Sequence, residues 1–248
     1  MRRLLSLLVV LLAGCHASSQ TSVTLLTAYP HQQDAFTQGL VFDSGRLFES
    51  TGLYGESSLR EVDLETGEVL RRIDLPEEYF GEGIALVDGK LIMLTWREGT
   101  ALVFDVETFE QSGSFSYSGE GWGLCFNGEQ LVMSDGSSTL QFRDPHTFEL
   151  LDTQQVTYQG APLRNLNDLA CADGLIYANV WLTRYIVRIK PDGEVDAVFD
   201  MSGLLSEAEW ATLDPSAEVL NGLAWNEASG TLLVTGKRWP RLFELRIE

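Results

Sequence analysis

The chain is short of cations. Lysine occurs only at Lys90, Lys190 and Lys237, and 17 Lys+Arg stand against 36 Asp+Glu in 248 residues, a formal net charge of −19. A surface this acidic repels phosphate backbones, so no nucleic-acid partner is expected, and the charge itself reads as a solvated, solubilising face. Histidine is equally scarce: His16, His31 and His146 are scattered and have no metal-ligand spacing, so no zinc site and no cofactor are expected. Cysteine occurs three times, at Cys15, Cys125 and Cys171. The last two fall inside apolar strand patterns one repeat apart and at different phases, which reads as two buried free thiols rather than a disulfide.

Long apolar runs are also rare. Leu4 to Leu12 follows Arg2-Arg3 and precedes the small-residue stretch Leu12-Ala13-Gly14, the pattern of an export signal. The run is too short to span a bilayer as a stable helix. Leu12-Ala13-Gly14-Cys15 resembles a bacterial lipobox, which implies lipidation of Cys15, a membrane anchor through its acyl chains and an envelope location. His16 rather than Asp after that cysteine implies outer-membrane sorting. The expected organisation is a lipoprotein signal at 1–14, a tether at 15–22 and a single domain over 23–248. Removing 1–14 leaves 15 Lys+Arg against 36 Asp+Glu, a formal charge of −21.

What is abundant is repetition. Thr37-Gln38-Gly39-Leu40, Phe80-Gly81-Glu82-Gly83-Ile84, Gly121-Trp122-Gly123-Leu124, Leu166-Asn167-Asp168-Leu169 and Leu220-Asn221-Gly222-Leu223 share one frame. Aligned on Gly39, Gly83, Gly123, Asp168 and Gly222, they lie 44, 40, 45 and 54 residues apart. A period in the low forties filled with short strands and Asp-Gly, Thr-Gly and Pro turns predicts propeller blades of four strands each. The fifth repeat supplies only Leu223–Trp225, Leu232–Thr235 and Leu242–Ile247. The strand Val23–Tyr29 is free to complete it, so the expectation is an all-β, five-bladed propeller closed by its N-terminal strand. The long last spacing predicts a short helix inserted near 204–214: Ser206 with Glu209 makes a capping box and Pro215 stops the segment. In the third repeat one outer strand is expected over Glu149–Tyr158.

First strands line the channel of a propeller, and equivalent positions point the same way. The residue before the frame glycine then gives a ring of Gln38, Glu82, Trp122, Asn167 and Asn221. The residue five beyond the start of each second strand gives another, Gly52, Trp96, Gly136, Trp181 and Lys237. Acid, amides, indoles and one of three lysines around two space-making glycines suit a small polar ligand. Gly81 and Gly83 read as backbone that lets the pocket come close to Glu82.

Longer stretches carry a resemblance. Tyr29-Pro30-His31 with Ala35-Phe36-Thr37-Gln38-Gly39-Leu40, Gly52-Leu53-Tyr54-Gly55-Glu56-Ser57-Ser58-Leu59-Arg60, Phe80-Gly81-Glu82-Gly83-Ile84 and Leu94-Thr95-Trp96 are its first half. Gly121-Trp122-Gly123-Leu124, Met133-Ser134-Asp135-Gly136-Ser137, Tyr177-Ala178-Asn179-Val180-Trp181 and Val234-Thr235-Gly236-Lys237-Arg238-Trp239-Pro240 are its second. Over essentially the whole mature chain the sequence resembles the plant- and bacterial-type glutaminyl-peptide cyclotransferases. The resemblance implies conversion of N-terminal glutamine of peptides to pyroglutamate with release of ammonia. It also implies functional roles for Gln38, Glu82, Trp96, Trp122, Asn167, Trp181 and Lys237, with Phe36 and Phe80 lining the pocket. Two departures stand out: Asp168 follows Asn167 where the family usually has Glu, and Arg184 stands where an acid is common.

The chemistry needs a tethered amine to attack its own γ-carboxamide, so holding the folded conformer is most of the task. Glu82 is expected to carry the proton from amine to leaving ammonia, with Gln38, Asn167 and Lys237 as donors to the developing oxyanion. Trp96, Trp122 and Trp181 form the apolar walls. No metal is needed, and a monomer is expected. Two rivals remain open on the sequence alone: a non-catalytic propeller that binds envelope peptides or glycans, and a metal-dependent, lactonase-like hydrolase using Glu82, Asn167 and Asn221.

Overall fold

The computed structural model describes residues 21–248; the expected signal segment and the lipidation site Cys15 lie outside the described residues. Among the described residues the strands pair into five four-stranded antiparallel sheets. The first blade is Thr37–Asp43, Arg46–Thr51, Ser58–Val62 and Val69–Asp74, and the second is Gly81–Val87, Lys90–Thr95, Thr100–Asp105 and Gln111–Ser116. The third is Leu124–Phe126, Leu131–Met133, Thr139–Arg143 and Leu150–Gln155. The fourth is Leu166–Ala172, Leu175–Val180, Tyr185–Ile189 and Val195–Asp200. Leu220–Asn226, Thr231–Gly236 and Arg241–Ile247 make three strands of the fifth, and Val23–Pro30 adds its outer strand, in register from Val23 opposite Ile247 to Pro30 opposite Arg241. The ring is therefore closed by hydrogen bonds between the two ends of the domain, as expected.

The core lies between blades, because each sheet has apolar side chains on both faces. Phe48, Leu59, Ile84, Leu91, Met93 and Phe104 fill the seam between the first and second blades. Outer strands such as Gln111–Ser116 and Leu150–Gln155 are largely exposed. The turns into three of these outer strands share one device: Asp63, Asp105 and Asp144 each accept the backbone N–H of the threonine three residues on, which replaces a ladder bond with a local one. The residue after that threonine is left-handed in all three, Gly67 (φ +70°), Phe109 (φ +59°) and Phe148 (φ +62°). The two phenylalanines are buried between blades, and that burial offsets a backbone cost of about 1–2 kcal/mol.

The frame glycines serve the ring rather than the pocket. A Cβ on Gly39 would come 2.8 Å from Gly83 Cα and Ile84 N, and one on Gly83 would meet Leu124 N at 2.6 Å and Gly123 Cα at 2.7 Å. One on Gly123 would meet Asn167 O at 2.1 Å and Asp168 Cα at 2.8 Å. Inner strands of neighbouring blades thus touch backbone to backbone, which corrects the reading of Gly83 as pocket-facing room. Gly81 similarly makes way for the Met93 methyl and Thr51 O, at 2.3 and 2.7 Å from where its Cβ would be. Between the third and fourth blades, Cys125, two beyond Gly123, nevertheless meets Cys171, three beyond Asp168, past the register irregularity at Leu166/Leu169. They form a disulfide with Cα atoms 5.6 Å apart, so the expectation of two free thiols is corrected: a difference in repeat phase does not keep the two side chains apart.

Two other local expectations meet different outcomes. The outer strand of the third blade stops at Gln155 because Val156 turns inward, fully buried, with its N–H on Ser138 O at 2.7 Å. Thr157–Tyr158 and Ala161–Pro162 then pair as a separate hairpin. The inserted helix is present as Glu207–Trp210, with both halves of the Ser206/Glu209 capping box formed. It is fastened to the body: Trp210 packs edge-on to Trp239 at 5.2 Å, Arg241 donates to Glu209 at 2.7 Å, and the Arg184 guanidinium lies 3.8 Å from the Trp210 ring centroid. The unusual Arg184 is thereby explained as a cover for that indole.

Candidate active site

The starts of the inner strands and the ends of the second strands meet at one mouth of the channel. Four inner strands break register there, at Thr37/Gly39, Gly81/Ile84, Leu166/Leu169 and Leu220/Leu223. Such irregularities free a residue from the ladder and re-aim its side chain. The freed positions include Gln38, Glu82, Asn167 and Asn221, all buried. In the fourth blade Asp168 takes the place of the frame glycine. Its carboxylate, fully buried, accepts the Leu223 N–H at 2.7 Å, tying the fourth and fifth blades together, while its Oδ1 has no partner among the described residues.

Gln38 and Glu82 are in contact: Gln38 Nε2 donates to Glu82 Oε1 at 3.4 Å. The other end of that amide is fixed, since Asn221 Nδ2 donates to Gln38 Oε1 at 3.0 Å and to the backbone oxygens of Thr37 and Gln38 at 3.0 and 3.1 Å. Asn221 is therefore spent on orienting Gln38. The Oδ1 atoms of Asn221 and Asn167 are both buried with no partner among the described residues; Asn167 differs at Nδ2, which is not engaged as that of Asn221 is, while its backbone oxygen accepts from Ser134 Oγ at 2.7 Å. Lys237 is buried, with Nζ 4.8 Å from the Phe36 ring centroid.

Aromatic rings close the sides. Phe36, Phe80 and Trp96 form one run, with centroids 6.4 and 5.4 Å apart, and Trp122 meets Trp181 edge-on at 5.5 Å. The two glycines of the second ring make this packing possible. A Cβ on Gly52 would lie 2.3 Å from Phe80 Cε1 and 2.9 Å from Gln38 Nε2, and one on Gly136 would lie 2.6 Å from the Trp122 ring. They leave room, as expected, and the room is taken by pocket walls.

The electrostatics follow from burial. Loss of solvent pushes the Glu82 carboxyl well above the ordinary carboxylate range; the Lys237 ammonium pulls it back, and Asp168, Glu120 and Glu98 push it further up. Burial likewise raises Asp168 well above its usual range. Lys237 is lowered by burial, against the attraction of Glu82 and Asp168. One cation thus serves two buried acids, and the loss of solvent raises the proton affinity of Glu82 despite that cation. Among the described residues no group of three or more His, Cys, Asp or Glu could hold a metal ion.

Three groups at this mouth are not part of either ring. Glu120 bonds the indole N–H groups of Trp96 and Trp122, Glu98 accepts from Tyr54, and His31 bonds Glu49 behind the Lys237 loop. All three sit in connections rather than at repeated strand positions, so periodicity carries no signal for them; only Glu120, directly before the Gly121-Trp122-Gly123 frame, is marked by adjacency. A cavity of about 710 Å³ opens at the opposite mouth, lined by Val41, Ala85, Phe126, Trp225 and the disulfide. It lacks the acid, amide and lysine convergence, so volume and chemistry point to different ends of the channel, and chemistry decides.

A closed five-bladed propeller with a high-pKa carboxyl, amide donors and a buried lysine between aromatic walls defines an acid–base enzyme of the propeller type, acting on a small polar group. The chain belongs to the glutamine cyclotransferase family, whose model matches residues 5–247. It is 39% identical over 231 residues to glutaminyl-peptide cyclotransferase of Arabidopsis thaliana, covering 91% of this chain and 71% of that one. The crystal structure of Myxococcus xanthus glutaminyl cyclase superposes with a TM-score of 0.84 at 40% identity, covering 91% of this chain and 96% of the other.

Proposed function

We propose that this protein is a glutaminyl-peptide cyclotransferase that converts the N-terminal glutamine of peptides to pyroglutamate and releases ammonia. The observation that carries the assignment to these residues is the Glu82 carboxyl, buried beside the Gln38 amide and within the field of Lys237. The substrate's α-nitrogen attacks the carbonyl carbon (Cδ) of its own γ-carboxamide, the new C–N bond closes the five-membered ring, and the bond from that carbon to the side-chain nitrogen breaks. Ionised Glu82 takes the proton from the attacking amine and delivers it to the departing nitrogen, ending as it began. A carboxyl whose proton affinity is raised by burial suits both halves of that transfer.

The oxygen of the γ-carboxamide gains charge in the tetrahedral intermediate. Asn167, whose side-chain amide is not committed to neighbours, and Lys237 are the donors assigned to it, with Gln38 orienting Glu82 and Asn221 orienting Gln38. Lys237 also disfavours a protonated substrate amine, which keeps the nucleophile neutral. Phe36, Phe80, Trp96, Trp122 and Trp181 exclude water and hold the folded conformer, which is where a tethered reaction gains most. Wild type incubated with a peptide beginning in Gln should lose one ammonia by mass. Glu82→Gln, which keeps the shape and a partner for Gln38, should lower kcat by about 10²–10⁴-fold; equal conversion by the variant would remove Glu82 from the mechanism.

The wider setting is part of the same proposal. Leu12-Ala13-Gly14-Cys15 supports an acyl anchor at Cys15 and an envelope location, with the propeller as a monomer beyond a tether. Radiolabelled palmitate incorporated by the full-length chain and lost in Cys15→Ser tests the anchor, and light scattering of the soluble domain tests the monomer.

A further inference from the structure

Trp96 and Trp122 come from different blades, yet their indoles are held at one point. Glu120 Oε2 accepts the Trp96 Nε1–H at 2.8 Å and the Trp122 Nε1–H at 3.0 Å. Its other oxygen accepts from Arg97 Nε at 3.1 Å, and the Arg97 guanidinium lies 3.6 Å from the Trp96 ring centroid. Backbone bonds lock the approach: Gly121 N–H reaches Trp96 O at 2.9 Å and Trp122 N–H reaches Ser134 O at 3.0 Å. A free indole could turn either its N–H or its apolar edge to the pocket. Here both N–H groups face Glu120, and the far ring of Trp122 lies on Gly136.

We infer that Glu120 is a positioning residue of the active site: one carboxylate, clamped by Arg97, orients two tryptophan walls from two blades. The inference rests on the reading of Glu82 as the proton carrier. Two further facts support it. Glu120 stays ionised, since its bonds to Trp122, Trp96 and Arg97 outweigh partial burial and hold it below the usual carboxylate range. It is also among the charges that raise Glu82, with Asp168 and Glu98 in the same direction and Lys237 opposing; Tyr117, nearby, is neutral, pushed up to about 12 by burial.

The test uses the purified soluble domain, a glutaminyl peptide and two charge variants of opposite sign. E120Q keeps an acceptor for both indoles but removes the charge, so the acid limb of kcat should move to lower pH by roughly half a unit, the effect of one partly screened charge. R97Q unmasks Glu120 and should move the same limb upward. In E120A the indole N–H resonances of Trp96 and Trp122, assigned by single Trp→Phe replacements, should shift while those of the other tryptophans stay, and KM should rise by roughly 3–10-fold as walls loosen. Acid limbs unmoved within about 0.1 unit, or moved in the same direction by both charge variants, overturn the inference, as do unshifted indole signals. Failure of wild type to convert any glutaminyl peptide would instead sink the enzymatic reading, and the indole signals, which need no substrate, would still decide whether Glu120 holds the two walls.

Discussion

The Cys125–Cys171 disulfide makes the most quantitative prediction, because its effect is set by a loop length. It joins the inner strands of the third and fourth blades across a sequence separation of 46 residues. Closing a loop of that size in the unfolded chain removes entropy worth about 4 kcal/mol at room temperature, on the chain-entropy account. For a domain of this size the unfolding entropy at the midpoint is on the order of 0.5 kcal/mol per degree, so losing the bond should lower Tm by about 8 °C. The assay is thermal unfolding by circular dichroism of the soluble domain, oxidised, reduced with dithiothreitol, and as Cys125→Ala/Cys171→Ala. Oxidised protein should carry no free thiol outside Cys15, and both treatments should give a similar drop. Activity at 25 °C should persist, since the bond lines the mouth opposite Glu82. A Tm that ignores both the reductant and the double substitution would refute the reasoning, whether because the thiols are free or because the seam holds without them.

The remaining predictions address the seam, the site and its closure. Gly83→Ala, whose Cβ would sit 2.6 Å from the backbone of the next blade, should cost about 3 kcal/mol or prevent folding. Gly113→Ala, with open space around it, should stay within about 0.5 kcal/mol; denaturant midpoints read both. Lys237→Met removes the cation that stabilises ionised Glu82, so Glu82 should titrate higher still and the acid limb of any residual activity should move up in pH, as a pH–rate profile would record. A buried ion pair joins the ring closure: His31 Nε2 meets Glu49 at 2.9 Å and His31 Nδ1 donates to Trp239 O at 2.7 Å. Burial alone would lower His31, but Glu49 outweighs it and holds the imidazolium above its ordinary 6.5, while Glu49, which burial alone would raise, is lowered from 4.5 by His31 and Thr37. The His31 contribution is complete below pH 6.5 and lost as pH rises through its raised folded value; the Glu49 contribution is complete above pH 4.5 and lost as pH falls. Stability should therefore be greatest between those limits and flatten in His31→Gln, as urea midpoints across pH would reveal.

The repeat made the ring legible, and the ring made most of the pocket legible. Because equivalent positions in a propeller point to equivalent places, Gln38, Glu82, Asn167 and Asn221 could be grouped before any coordinate; all four are buried, and Glu82, Gln38 and Asn221 form one hydrogen-bonded run. What the repeat does not encode is how closely neighbouring blades meet. That approach joins two cysteines at unequal phases in a disulfide and makes Gly83 a backbone contact rather than pocket room. Nor does it encode the use of a side chain once placed. Asn221 and Gln38 look alike in the frame, yet one is consumed holding the other.

Composition, the glycine frame and the strand period are local or periodic properties, and they determined by themselves that this is a closed propeller with Glu82 on its axis. The relations decided only by the tertiary structure are those that no period links: Glu120 under two indoles, His31 against Glu49, and Asp168 bonded to Leu223 of the next blade. Their partners lie far apart in sequence or in unequal loops, so their meeting depends on how five sheets twist and stagger around one axis. The raised pKa of Glu82 belongs to the same class, because it comes from water excluded by side chains of several blades together.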